Sequence, residues 1–143
     1  MRPKYYWRCI LFNNMNKKKK IIVVDDDEIH LTALEFILQN EYEVYKMKSG
    51  NEVLSYLINA KLVPDLILLD ILMPNIDGWE VLKRIKAISF LRKIPVVYIT
   101  SIDEEDKKER AYEMGISDYI TKPYDMAVLQ KKIKDIIRNI NEE

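Results

Sequence analysis

The sequence predicts a doubly wound α/β domain: a five-stranded parallel sheet with helices on both faces. Three observations carry this reading. Five short apolar runs alternate with segments whose apolar residues recur at helical spacing. No hairpin signal joins one run to the next, so consecutive strands must be parallel and connected by helices. The chain has 143 residues, 48% of them hydrophobic, which is about the length and composition of one domain with one sheet.

The first strand is Ile21 to Val24, wholly apolar and β-branched, as expected of a strand covered on both faces. Asp27 reads as a helix-start residue, Leu31, Leu34, Ile37 and Leu38 give the helical stripe, and Asn40 is the stop. Tyr42 to Met47 is the second strand, with Gly50 and Asn51 turning into a helix that carries Val53, Leu54 and Leu57. Pro64 and Asp65 introduce the third strand, Leu66 to Leu69, which ends at Asp70. Pro74, Asp77 and Gly78 form a loop before a third helix marked by Val81, Leu82, Ile85 and Ile88. Pro95 opens a fourth strand through Ile99, and Asp103 to Met114 is a mostly exposed helix closed by Gly115. Asp118 to Thr121 is a short fifth strand. Asp125 then caps a final helix with the stripe Leu129, Ile133, Ile136, Ile137 and Ile140.

In open sheets of this class, ligands bind beyond the carboxyl ends of the strands. Those ends supply Asp25 and Asp26, then Asp70, then Thr100 and Ser101, then Lys122. Any one of them has an ordinary structural role: an acid caps a helix, a threonine sits in a strand, a lysine is solvated. Convergence of acid, acid, hydroxyl and amine on one edge is not explained by hydrophobic periodicity. Neighbouring carboxylates repel, and a hard divalent cation such as magnesium relieves that repulsion while keeping several waters. Asp25 or Asp26, with Asp70 and a backbone carbonyl, would form such an open shell. A carboxylate can also be a nucleophile that forms an acyl phosphate, with the metal and Lys122 neutralising charge and the Thr100 hydroxyl donating to a phosphoryl oxygen.

Formal net charge is zero but unevenly placed: residues 1–20 hold seven bases and no acid, against 16 bases and 23 acids in the remainder. The acidic body gives no reason to expect direct DNA binding. The basic front reads either as a solvated tail or as a segment that touches phosphates or an anionic surface. Cys9 is alone, which excludes an intrachain disulfide and fits a reducing cytoplasm. Tyr5 to Phe12 is broken by Arg8 and is far short of the roughly 20 residues needed to cross a bilayer. Residues 1–19 are expected to be a disordered basic extension and 20–141 the domain, with Met15 a possible start. The rival reading is an amphipathic anchor with Tyr5, Tyr6, Trp7 and Phe12 at an interface.

The segments Val23 to Asp26, Leu69 to Pro74 with Asp77 and Gly78, Tyr98 to Ser101, and Asp118 to Pro123 resemble the ordered signature of bacterial response-regulator receiver domains. The resemblance runs from about Lys20 to Ile140. It implies a flavodoxin-like strand order 2-1-3-4-5, Asp70 as phosphoacceptor, and Asp25 and Asp26 as an acidic pair for Mg2+ or Mn2+. It further implies that the Leu72 main-chain carbonyl contacts the metal, and that Thr100, Ser101 and Lys122 bind the phosphoryl group. Thr100 and Tyr119 become the switch pair, and Pro123 follows a cis peptide bond. The implied phosphodonor is a sensor histidine kinase or phosphotransfer protein. Nothing after Ile140 resembles an output domain, so a stand-alone switch is expected to signal to a downstream protein through residues 103–141.

Two other readings meet obstacles in the sequence. An aspartate-nucleophile phosphatase typically carries a second acid two residues after the first, and here that residue is Leu72. An interaction module that has lost the switch would not need all the site residues. The lone His30 is read as a surface residue of the first helix. Leu72 and Ile102 flank the acyl phosphate of the implied mechanism, and both are apolar, so slow self-dephosphorylation is expected.

Overall fold

In a computed structural model that describes residues 17–59 and 63–141, the strands and helices alternate throughout. The order is β1 (Lys19–Val24), α1 (Glu28–Leu38), β2 (Tyr42–Met47), α2 (Gly50–Asn59), β3 (Leu66–Leu69), α3 (Gly78–Ala87), β4 (Val96–Thr100), α4 (Glu105–Glu113), β5 (Asp118–Thr121) and α5 (Met126–Asn141). The strands form one parallel sheet in the order β2-β1-β3-β4-β5, as the sequence predicts.

Alternation along each buried strand divides its side chains between two cores. Ile22, Val24, Ile67, Leu69 and Tyr98 face one way and pack with Val53, Val81, Leu82, Ile85 and Ala111 from α2, α3 and α4. Ile21, Val23, Leu66, Leu68, Val97 and Ile99 face the other way, against Leu31 and Leu34 of α1 and Leu129, Ile133 and Ile137 of α5. Because both faces are covered, the strands read as continuous apolar runs rather than alternating ones.

Helix starts follow local chemistry. Asp27 accepts from the Ile29 N–H at 2.9 Å and Asp77 from the Glu80 N–H at 3.0 Å. Asp125 accepts from the N–H groups of Ala127 and Val128 at 2.8 and 3.1 Å. Each satisfies a donor that the first helical turn leaves free. Helix α4 has no side-chain cap bond and buries only Ala111. It is also shorter than expected at both ends, and Gly115, at φ 102°, turns the chain out of it.

Some boundaries differ from those expected. β1 begins at Lys19, whose register partner is Tyr42, so the strand takes in the last residue assigned to the extension. The remaining expectations for the extension fall on residues 1–16 and lie outside the described residues. β4 runs from Val96 to Thr100 rather than from Pro95. Proline has no N–H for a ladder, and Pro95 contributes its carbonyl to the Ile67 N–H at 3.0 Å.

The register fixes the functional edge. Val24 lies opposite Leu69, and the ladder continues one step with the Asp70 N–H donating to the Val24 carbonyl at 3.0 Å. Asp25 and Asp70 therefore emerge side by side. Thr100 lies opposite Thr121, and the Lys122 N–H donates to the Thr100 carbonyl at 2.8 Å.

Candidate functional site

Asp25, Asp26 and Asp70 each present a carboxylate oxygen such that these atoms lie within 4.8 Å of one another. Asp25 and Asp70 are buried, while Asp26 is exposed. A buried carboxylate needs partners to remain charged, and this edge supplies them. Lys122 Nζ donates to Asp25 Oδ2 at 2.7 Å and to Asp70 Oδ2 at 3.0 Å, so a single ammonium bridges the two acids. The Asp27 N–H donates to Asp25 Oδ1 at 2.9 Å, and the Leu72 N–H donates to Asp70 Oδ1 at 3.3 Å.

These contacts pull the acids apart electrostatically. Burial alone would raise the Asp25 carboxyl, but hydrogen bonds from His30, Lys122 and the Asp27 N–H overcome it and hold Asp25 well below the usual carboxylate range. Asp26 moves the other way, raised by partial burial and by the negative charge of Asp25. Burial would lower Lys122, yet its bonds to Asp25 and Asp70 keep it above an ordinary lysine. Three carboxylates to one ammonium leaves an excess of negative charge and oxygen donors. That donor set fits a hard divalent cation.

The remaining residues predicted for the site occupy the same edge. Thr100 is fully buried, and its Oγ1 accepts from the Ile102 N–H at 3.5 Å. Ser101 is exposed beside it. Tyr119 is turned inward and only 7% exposed, and its hydroxyl donates to the Ile102 carbonyl at 2.6 Å. Its ring meets Tyr98 edge-on at 6.1 Å, and Tyr98 meets Trp79 edge-on at 5.4 Å. The Lys122–Pro123 peptide bond is cis. An open groove of about 430 Å³ adjoins the acids, with Asp26, Leu72, Trp79 and Ile102 on its walls.

One assignment is corrected. His30 is not a free surface residue: its side chain is 15% exposed, with Nδ1 2.5 Å from Asp25 Oδ2 and Nε2 3.1 Å from the Tyr124 hydroxyl. His30 lies in the first turn of α1, which starts directly after Asp27, and its ring reaches back to Asp25 at the end of β1. Its spacing five residues after a strand-end acid, behind the Asp27 cap, is the local signal that points to this contact. Tyr124 carries no such signal. Tyr98 is also more than a strand residue, since its buried hydroxyl donates to the Gly78 carbonyl at 2.8 Å and ties β4 to the start of α3.

Residues 21–134 match the response regulator receiver domain family. Among curated relatives, the chain is 38% identical over 112 residues to the response regulator PleD of Caulobacter vibrioides, covering 78% of this chain and 24% of that protein. It is 37% identical over 109 residues to the alkaline phosphatase synthesis transcriptional regulatory protein PhoP of Bacillus subtilis, covering 76% of this chain and 44% of that one. It thus spans less than half the length of these relatives. Solved structures agree in fold. A two-component response regulator from Clostridium difficile superposes with a TM-score of 0.79 at 29% identity, covering 87% of this chain and 99% of that one. The chemotaxis response regulator CheY4 of Vibrio cholerae gives a TM-score of 0.77 at 26% identity, covering 84% and 99%. The strand order and overall fold are thus shared with these structures, and the chain belongs to the response regulator receiver domain family of two-component signalling.

Proposed function

We propose that this chain is a phosphoacceptor switch in which Asp70 takes a phosphoryl group from a histidine kinase or phosphotransfer protein. The observation that carries the reading is the Lys122 ammonium shared by Asp25 and Asp70 at the carboxyl edge of the sheet. It sets a buried nucleophile beside a cation and a second acid, the combination that in-line transfer to a carboxylate requires.

In this reading an Asp70 carboxylate oxygen attacks phosphorus and the phosphorus–nitrogen bond of the donor imidazole breaks, its electron pair remaining on nitrogen. The product is an acyl phosphate. Lys122 turns from Asp70 Oδ2 to a phosphoryl oxygen, and the Thr100 hydroxyl and Ser101 donate to the others. Asp25, Asp26, Asp70 and the Leu72 carbonyl would hold Mg2+ or Mn2+, which supplies further charge neutralisation when bound.

The signal leaves by the Thr100–Tyr119 pair. A phosphoryl group that draws Thr100 toward it favours the inward Tyr119 and the Ile102 carbonyl contact, which biases the loop before α4. Helix α4, uncapped and with one buried residue, is the element least tied to the core, which supports residues 103–141 as the surface read by a downstream protein. No described helix is long and apolar enough to cross a membrane, and the reading places the switch in the cytoplasm.

The test is to incubate the protein with magnesium and a small-molecule phosphodonor and to measure intact mass. Wild type should gain one phosphoryl group, and Asp70→Asn or metal removal should abolish the gain. A variant lacking Asp70 that still forms an acyl phosphate overturns the assignment.

A further inference from the structure

Asp25 is the most enclosed of the three carboxylates, and most of its acceptor capacity is already used. Oδ1 accepts from the Asp27 N–H at 2.9 Å, while Oδ2 accepts from Lys122 Nζ at 2.7 Å and faces His30 Nδ1 at 2.5 Å. A carboxylate offers about four lone-pair sites, so these partners leave one. An ionised carboxylate only accepts, so His30 carries its hydrogen on Nδ1 and donates, and this partner chemistry assigns the tautomer. Nε2 then pairs with the Tyr124 hydroxyl at 3.1 Å, and the two rings lie 5.7 Å apart.

The three donors to Asp25 are not equivalent during phosphoryl transfer. Lys122 also bonds Asp70, and in the function proposed above it turns to a phosphoryl oxygen when the acyl phosphate forms. With Lys122 gone, the Asp27 N–H alone would fix one oxygen and leave the carboxylate plane free to rotate. His30 holds the other oxygen. It comes from α1 and is braced by Tyr124, two residues beyond Lys122 in the chain, so its contact does not depend on where the ammonium points.

We infer that His30 is a positioning residue for the cation site, fixing the plane of the Asp25 carboxylate so that its remaining lone pair stays placed for a divalent cation while Lys122 is engaged elsewhere. The inference rests on the receiver reading above and adds to it a residue on α1. Hydrogen-bond partners that orient a ligating group commonly account for 10- to 100-fold in metal affinity.

The experiment titrates the full, metal-free chain with Mn2+ and reads unbound ion by electron paramagnetic resonance, for wild type, His30→Leu, His30→Asn and Tyr124→Phe. His30→Leu removes the donor and should weaken binding about tenfold. His30→Asn places an amide N–H2 on the same side as Nδ1 and should restore affinity to within about threefold of wild type, and Tyr124→Phe should weaken it about threefold, both factors scaled from that range. In phosphorylation by a small-molecule donor, the Mg2+ concentration for half-maximal rate should rise about tenfold in His30→Leu, while the rate at saturating metal changes little.

Equal Mn2+ affinity in His30→Leu and wild type overturns the inference, as does a His30→Asn variant as weak as His30→Leu, which would assign the loss to packing. Circular dichroism reports folding. If His30→Leu unfolds, unchanged affinity in Tyr124→Phe overturns the inference instead. A wild-type chain that binds no Mn2+ refutes the receiver reading itself, so the two failures are distinguishable.

Discussion

Gly78 opens α3 directly beneath the loop that carries Asp70, and replacing it with alanine is the most discriminating single perturbation of the site. A Cβ built there lies 2.5 Å from the Asp70 carbonyl oxygen and 2.7 Å from Ile71 Cα, against 3.4 Å for ordinary contact. The obstruction is backbone, so no side chain can rotate away, and about 0.9 Å of overlap must be absorbed by moving the Asp70 loop or α3. α3 resists, because Val81, Leu82 and Ile85 are fully buried and the Gly78 carbonyl is held by Tyr98. Overpacking of this kind costs about 1–3 kcal/mol, or roughly 4–12 °C in Tm for a domain of this size. Displacing a reacting group by about 1 Å costs on the order of 100-fold in rate. Gly78→Ala should therefore lower Tm and slow acyl-phosphate formation at Asp70 by one to two orders of magnitude, scaled from the same principle, measured by intact mass at saturating magnesium. Gly115→Ala is the control: its φ of 102° makes alanine strained, so it should lose about 1 kcal/mol with the phosphorylation rate unchanged. A Gly78→Ala variant that loses stability but phosphorylates at the wild-type rate would refute the claim that this glycine positions Asp70.

Other outcomes follow from the same geometry. Tyr98→Phe removes the 2.8 Å hydroxyl bond to the Gly78 carbonyl, which keeps its partner within α3, and should cost about 0.5–1.5 kcal/mol in urea unfolding; no measurable change argues against the tie. In metal-free protein, carboxyl-carbon NMR should find Asp25 protonating at lower pH than Asp26, since their shifts are opposite. Because the Asp25 folded-state pKa is depressed, its contribution to stability is complete above the unfolded value of about 3.9 and drains away as pH falls below it. Titration in the reverse order would break this account. Leu72, 55% exposed, and Ile102 line the groove but cannot orient water by hydrogen bonding, so Leu72→Asn with Ile102→Glu should speed acyl-phosphate decay about tenfold or more, equivalent to ~1.4 kcal/mol. A double mutant no faster than wild type shows that these side chains do not set the lifetime. Thr100→Ala should abolish phosphorylation-dependent NMR shifts at Tyr119, and their persistence would rule out this coupling route.

The fold was legible because its determinants are local. Ile21 to Val24 and Leu66 to Leu69 are continuous apolar runs that only a two-sided sheet explains, and Asp27 and Asp125 cap the helices that follow β1 and β5. The acid pair and Lys122 were legible for the same reason, since each terminates a run and parallel register brings run ends together. His30 had a local signal in its five-residue spacing from Asp25, but its second partner, Tyr124, is 94 residues away, and no periodicity reports a contact at that range. The direction of its ring depends on how α1 and the segment carrying Tyr124 pack together, a tertiary property. β4 runs one residue past its expected end because Thr100 pairs with Thr121 and its carbonyl accepts from the Lys122 N–H, a register that no apolar run reports. The Tyr98 hydroxyl bond to Gly78 was hidden by a tyrosine that is equally at home in any strand.

The sheet separates two cores that share no side chain among the described residues, and the segment around Lys122 is anchored in both. Tyr119 belongs to the compartment beneath α2 to α4, while Tyr124, five residues on, packs into the one beneath α1 and α5. Each side of the molecule can therefore accumulate substitutions at its own pace, with energetic effects across the partition that add independently and effects within one compartment that couple. A lineage of such proteins is free to retune the helices of one face without retraining the other, so long as the strands that serve both cores, and the stretch from Tyr119 to Tyr124 with them, are left alone.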